Sequence, residues 1–200
     1  NAEPAVHFDQ FLHAYYYVKV RDAGVDGDTA KSVELVNRAY LENQGNTGCA
    51  LAEAAAWWAD LPEAPYGEDT FISKTAPWIQ KRFALDQLRN WRLEDFQQVF
   101  YEVHAFKTHA RQMRNSILGL PRGHSETELE RSNRVAKWLW EMKREETQRH
   151  IKDLLEFLIW GDAVPNVAER LWRVTTDPLW RYDHFGPSSL GEALGWARPD

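Results

Sequence analysis

Cysteine is nearly absent: Cys49 is the only one in 200 residues, so the chain can close no internal disulfide and build no cysteine-based zinc site. Cys49 sits in an alanine-rich stretch without a basic neighbour, which makes it a small core residue and not an activated nucleophile. Long apolar runs are missing too. No stretch of about 18 uncharged apolar residues could span a bilayer, and the first twenty residues carry Glu3, His7, Asp9 and His13 where a signal peptide would be basic and then apolar. These absences together predict a soluble, cytoplasmic protein with no membrane partner. Positive charge is also scarce. The net charge is -6, with -8 in residues 1–70, +2 in each of 71–100 and 101–160, and -2 in 161–200. A nucleic-acid-binding domain shows a clearly basic footprint, so nucleic acid is not an expected partner of this domain alone.

Several catalytic signatures are lacking as well. The chain has no serine-nucleophile elbow, dinucleotide fingerprint, EF-hand loop or His-Glu-x-x-His. Gly186-Pro187-Ser188-Ser189-Leu190-Gly191 spaces its glycines like a phosphate loop, but Glu192 stands where lysine should follow, and no strand precedes it. That segment reads as a turn and a helix start.

What the chain does have is aromatic rings and helical periodicity. It holds ten Trp, nine Phe and seven Tyr, the tryptophans at roughly four times ordinary usage. They run from Trp57 to Trp196 across nearly every segment, a distribution suited to packing helices and unlike a concentrated ligand cage. Apolar residues recur at helical spacing in 5–21, 28–43 and 47–59, and 61–69, with Pro62, Pro65 and Gly67, is the one plausible internal linker. Thr75-Ala76-Pro77 starts a helix reaching about Asn90. The stripe Phe96, Val99, Phe100, Val103, Phe106, Ala110, Met113, Ile117 predicts one long helix, and a capping box at Ser125-Glu126-Thr127-Glu128 opens another that stops at Gly161. These two would form an antiparallel hairpin, roughly 93–118 and 126–160, with arms of roughly 39 and 53 Å. Shorter helices follow from Val167 to about Thr175 and from about Ser189. With no convincing period-2 segment, the expected fold is all-α: about seven helices packed around the hairpin in a single domain over 1–200. The start at Asn1-Ala2, without methionine, and the abrupt end at Asp200 suggest a domain excised from a longer protein.

Chemistry is expected where the second hairpin arm turns polar, from Lys143 to His150. Continuing the apolar stripe through it would put Lys143, Glu146, Thr147 and His150 on the core side; the plainer reading is a solvated charged face. Arg144, five intervening residues and His150 resemble the motif of HEPN-type ribonucleases. The resemblance covers only residues 144–150, and Glu145 stands where that family commonly has Asn, Asp or His. It implies a metal-independent ribonuclease in which Arg144 and His150, meeting across a homodimer, position and stabilise the phosphate under attack. A metal site is a third possibility, with Glu146 and His150 as one half and Asp9 and His13 as the other. His104 and His109, five apart, diverge on a regular helix and cannot share an ion. Beside the first arm's stripe lie Tyr101, His104, Thr108 and Arg111, where Arg111 and Arg114 could donate to a phosphate or carboxylate ligand with His104. Weighed together, these features favour a non-catalytic helical scaffold or interaction domain of a larger intracellular protein, without cofactor or metal, whose partner is another protein or the rest of its parent chain.

Overall fold

The computed structural model describes residues 75–164 and 167–198. The segments expected at 5–21, 28–43 and 47–59, the loop 61–69, and Asp9, His13, Cys49 and Asn166 lie outside the described residues. Within them the chain is all-helical and holds no β-strand. The α-helices are α1 (Ala76–Arg82), α2 (Leu85–Leu88), α3 (Leu93–Tyr101), α4 (His104–Gln112), α5 (Glu128–Trp140), α6 (Ile151–Trp160), α7 (Val167–Thr176) and α8 (Pro187–Ala197), with a 3-10 turn at Asn115–Leu118. No helix among these is long and apolar enough to cross a membrane.

The two continuous arms of the expected hairpin are each broken. The first arm does fold back, since α3 and α4 both pack on α5, and its stripe is buried as expected: Phe96, Val99, Phe100, Val103, Phe106, Ala110 and Met113 are each at most 5% exposed. The helix nevertheless stops at Tyr101, because Val103 is extended (φ -86°, ψ 106°). The amides of His104 and Ala105, freed by that break, donate instead to the side chain of Glu192 at 2.6 and 3.1 Å. Met113 ends α4 in an extended conformation, and Gly119 closes the 3-10 turn in the left-handed region at φ +69°, which suits glycine.

The second arm is interrupted from Glu141 to His150. A continuous helix would turn Lys143 and Glu146 inward without partners, at a desolvation cost of several kcal/mol; the chain unwinds and leaves residues 143–147 exposed. The turn after α7 holds this loop, with Arg149 N donating to Leu179 O at 2.8 Å and Gln148 Nε2 to Arg181 O at 2.5 Å. In place of the expected capping box at Ser125, the N-cap lies two residues later, at Thr127. Thr127 Oγ1 accepts from Glu130 N at 3.1 Å and donates to Glu130 Oε1 at 3.1 Å. Glu126 meanwhile sits between Arg131 (3.1 Å) and Arg134 (2.9 Å).

The helix expected to reach Asn90 also ends early, at Arg82. Its last carbonyls are taken by indoles: Trp91 Nε1 donates to Arg82 O at 3.0 Å and Trp160 Nε1 to Phe83 O at 2.8 Å. Two tryptophans thus act as C-caps, which lets the chain turn into α2. Gly161 ends α6 as expected, since a Cβ there would run into the Phe157 carbonyl. Arg170, 3% exposed, satisfies the loose carbonyls beyond it, donating to Leu158 O at 2.9 Å and Val164 O at 2.8 Å.

At the centre, Phe96, Phe100 and Phe106 meet Phe185 edge to face at centroid distances of 5.8, 5.3 and 6.2 Å, an arrangement favoured by the ring quadrupoles. Beside them α8 is buried from Ser189 to Ala197 on every side. Its glycines and alanines leave room for close approach of α1, α4, α6 and α7, all of which pack on it.

Glu192 lies on this buried helix, 7% exposed. Burial pushes its carboxyl up to about 7, against the pull of the His104 and Ala105 amides, the Trp196 indole and the Lys107 charge. In the unfolded chain it would ionise near the ordinary carboxylate value, so the fold binds the extra proton between those limits. This contribution to stability is complete below pH 4.5 and is lost as pH rises through about 7. Glu192→Ala, which orphans two amides, is expected to cost about 3 kcal/mol in urea unfolding. Glu192→Gln should cost less, and the gap between it and the parent protein should narrow by at most about 3 kcal/mol from pH 4.5 to 7. A gap that stays flat or widens over that range contradicts the assignment.

Candidate functional site

The loop between α7 and α8 carries the most unusual local geometry in the described chain. Tyr182 and Phe185, 3% and 1% exposed, both point inward, and their backbones form an isolated antiparallel bridge. Closing that bridge across two residues forces His184 to φ +64°, the only positive φ at a non-glycine residue among those described. Histidine is one of the residue types that tolerate this region, though at a cost, and such outliers gather at functional positions. The phenol of Tyr182 anchors the loop by donating to Arg149 O at 2.8 Å.

His184 is thereby carried to His109 of α4. The His109 Nε2 and His184 Nδ1 atoms stand 2.9 Å apart, with ring centroids at 5.1 Å, and the edge of Trp138 closes the far side of His184 at 5.8 Å. One imidazole donates to the other, so both cannot be protonated at this separation. Burial first, and the His184 charge second, hold His109 below the ordinary imidazole range. The pair opens onto a cavity of about 360 Å³ whose lining includes Ala105, Thr175, Arg181, Asp183, Ser188 and Ser189. Arg181 and Asp183 are ion-paired at 3.1 Å and well exposed.

The residues singled out from sequence fall elsewhere. Arg144 is exposed in the loop between α5 and α6, near enough for its charge to act on both His150 and Tyr182. His150 is the N-cap of α6: its Nδ1 accepts from Lys152 N at 3.1 Å, and its Nε2 lies 3.3 Å from Trp140 O. Its ring stands edge-on against Trp140 at 4.5 Å. An acceptor at Nδ1 means that Nε2 carries the hydrogen and donates to the carbonyl, so both nitrogens are occupied. Burial and the Arg144 charge, in that order, hold His150 below its ordinary range and keep it in this neutral form.

The pairing of Glu146 with His150 on one helical face is overturned, because residues 141–150 are not helical. No group of three His, Cys, Asp or Glu that could hold a metal exists among the described residues. None of His104, Arg111 and Arg114 lines the cavity. His104 is the first residue of α4, Arg111 lies 3.7 Å from Glu128 of α5, and Arg114 is beyond the end of the helix. His109, dismissed as a partner for His104, finds His184 from 75 residues away. No spacing rule connects them; the available signal is the sequence Tyr182-Asp183-His184-Phe185-Gly186, two core aromatics bracketing two polar residues before a glycine.

The described fold is an all-α domain with a histidine pair at the mouth of one cavity. Comparison of the chain with protein-family models, with curated proteins and with solved structures finds no match.

Because His109 is held below its ordinary value, the unfolded chain takes up its proton first as pH falls. The pair's contribution is therefore present above pH 6.5 and lost on acidification below it. In proton NMR titrations His109 should titrate below the ordinary imidazole range, and His184→Asn, which removes the neighbouring charge while tolerating positive φ, should move it upward. An unmoved His109 pKa in that variant would remove the coupling.

Proposed function

We propose that the chain is a non-catalytic helical interaction domain, serving a protein partner or the remainder of its own parent chain. The observation that carries this reading is the state of His150. A general acid or base needs a nitrogen within reach of substrate, whereas one ring nitrogen of His150 caps α6 and the other donates to Trp140 O. The same holds for other polar groups in the core. Arg170 secures the carbonyls after α6, Glu192 the amides of α4, and Tyr182 the loop around Arg149.

These are the devices of a chain that fixes a surface. The surface includes the charged loop at residues 143–147 and the exposed side chains of Trp78 and Leu129, 36% and 48% accessible. The ribonuclease reading, by contrast, needs Arg144 and a free His150 on one phosphate.

The test incubates the purified chain with single-stranded and hairpin RNA in the presence of EDTA. Intact RNA is expected, with His150→Ala lowering thermal stability by about 1 kcal/mol through loss of the helix cap. Cleavage that disappears in both Arg144→Ala and His150→Ala, with the helical circular-dichroism signal unchanged, would overturn the proposal in favour of the ribonuclease.

A further inference from the structure

His150 joins the two ends of the loop that interrupts the second arm. Its Nε2 donates to the carbonyl of Trp140, the last residue of α5, at 3.3 Å, and its Nδ1 accepts from Lys152 N in the first turn of α6 at 3.1 Å. The ring stands edge-on against Trp140 at 4.5 Å. Little else fastens the segment between. Among the described residues, no backbone amide from Lys143 to Thr147 donates to a backbone carbonyl, and these side chains are all exposed. Arg149 N, 2.8 Å from Leu179 O, holds the far end of the loop.

Protonation of the ring is incompatible with this arrangement. An imidazolium carries a hydrogen on Nδ1, so that atom would face the Lys152 N–H as a second donor. The cation would also stand at the N-terminus of a ten-residue helix, where the dipole opposes positive charge. Released from the loop, the same ring meets neither penalty. We infer that His150 is an acid-operated latch: a proton taken up at Nδ1 unpins residues 141–149 from the start of α6 and frees the charged loop of the interaction surface. The inference rests on the reading of His150 as a structural group.

The groups around the latch set its range. Burial opposes the charged form most and Arg144 next; the Trp140 carbonyl and Asp153 favour it, and Lys152 opposes it. Tyr182, pushed up to about 12 by burial, stays neutral. Lys137 of α5 and Glu141, Lys143, Glu145, Glu146 and Arg149 of the loop are exposed. In the turn and loop after α7, Asp177 accepts from Leu179 N, Arg181 pairs with Asp183, and His184 with His109. Of the helices packed on α6, α2 brings Arg89, paired with Glu156, α7 brings Arg170, held by Leu158 O, and α8 brings Glu192, held by the α4 amides. The freed ring ionises near its ordinary 6.5 and the pinned ring below that, so acid favours the open loop once pH falls through 6.5.

The experiment follows amide hydrogen exchange of the full chain by NMR at pH 7.5 and pH 5, corrected for the intrinsic pH dependence of exchange. Protection of the Lys152 and Arg149 amides is expected to fall about fivefold at the lower pH, the worth of one helix cap. His150→Asn supplies a cap that does not titrate, so its protection should be the same at both. Arg144→Gln should weaken the response to pH and Asp153→Asn should strengthen it. His109→Gln should leave it intact, which separates the latch from acid loosening at the histidine pair. Protection that does not change with pH in the unaltered chain, or a response that persists in His150→Asn, overturns the inference. No RNA enters these readouts: flat protection with intact RNA removes the latch alone, while cleavage that depends on His150 removes the reading beneath it.

Discussion

The amides of His104 and Ala105 begin α4 without partners in their own helix, and the carboxyl that accepts from them belongs to Glu192, 88 residues on from His104. Much of the described architecture follows from that contact. It fixes where the first arm must break, since those two amides cannot also bond the carbonyls of α3. It ties the start of α4 to the middle of α8, and thereby sets how deeply α8 enters the helices around it. A carboxyl in that position is costly, because burial disfavours its charge. The fold offsets the cost with three donors on one group, the third being the Trp196 indole at 3.3 Å. The result is a carboxyl that titrates near neutrality in a helix otherwise made of small and apolar residues.

Because α8 is buried all round, its two ends differ in kind. Its C-terminal half packs Trp196 and Ala197 into the core, while its N-terminus meets the loop that Phe185 and Tyr182 hold in place. The same core that secures Phe185 therefore imposes the positive φ on the residue before it. Strain at His184 is a consequence of packing two large rings on either side of a two-residue reversal, and contact with His109 is what that strained backbone delivers. Core and site are thus one construction: loosening Phe185 would release His184.

How much of this could be read beforehand depends on where each determinant sits along the chain. The helical class and the burial of Phe96, Val99, Phe100, Val103 and Phe106 were legible, because they depend on a spacing of three and four residues. The stops at Gly119 and Gly161 were legible for the same local reason. The break at Val103 was not, because the apolar stripe runs through it without a gap and the cause is a carboxyl from another helix. Nor was the end of α1 at Arg82, whose capping indoles come from Trp91 and Trp160. The polar stretch from Lys143 to His150 stands out in the sequence because charge does not belong on a buried face. The chain resolves the conflict by abandoning the helix, an option that an unbroken periodic reading leaves out.

The tryptophans gain a different meaning in this light. Trp91, Trp160 and Trp196 each spend an indole N–H on a group that secondary structure leaves unsatisfied: two helix-terminal carbonyls and the Glu192 carboxyl. Phenylalanine in those places would also supply a large apolar ring but leave the polar atoms without a donor. A helical domain with many short, interrupted helices has many exposed helix ends, four loose carbonyls or amides at each. Side chains that are large, apolar and carry one donor meet both demands at once. The abundance of tryptophan and the breaks in the helices are therefore two sides of one solution, in which rings serve as caps as well as filling. That solution leaves α8 as a helix whose N-terminus has no side-chain cap, and it is there that the histidines stand.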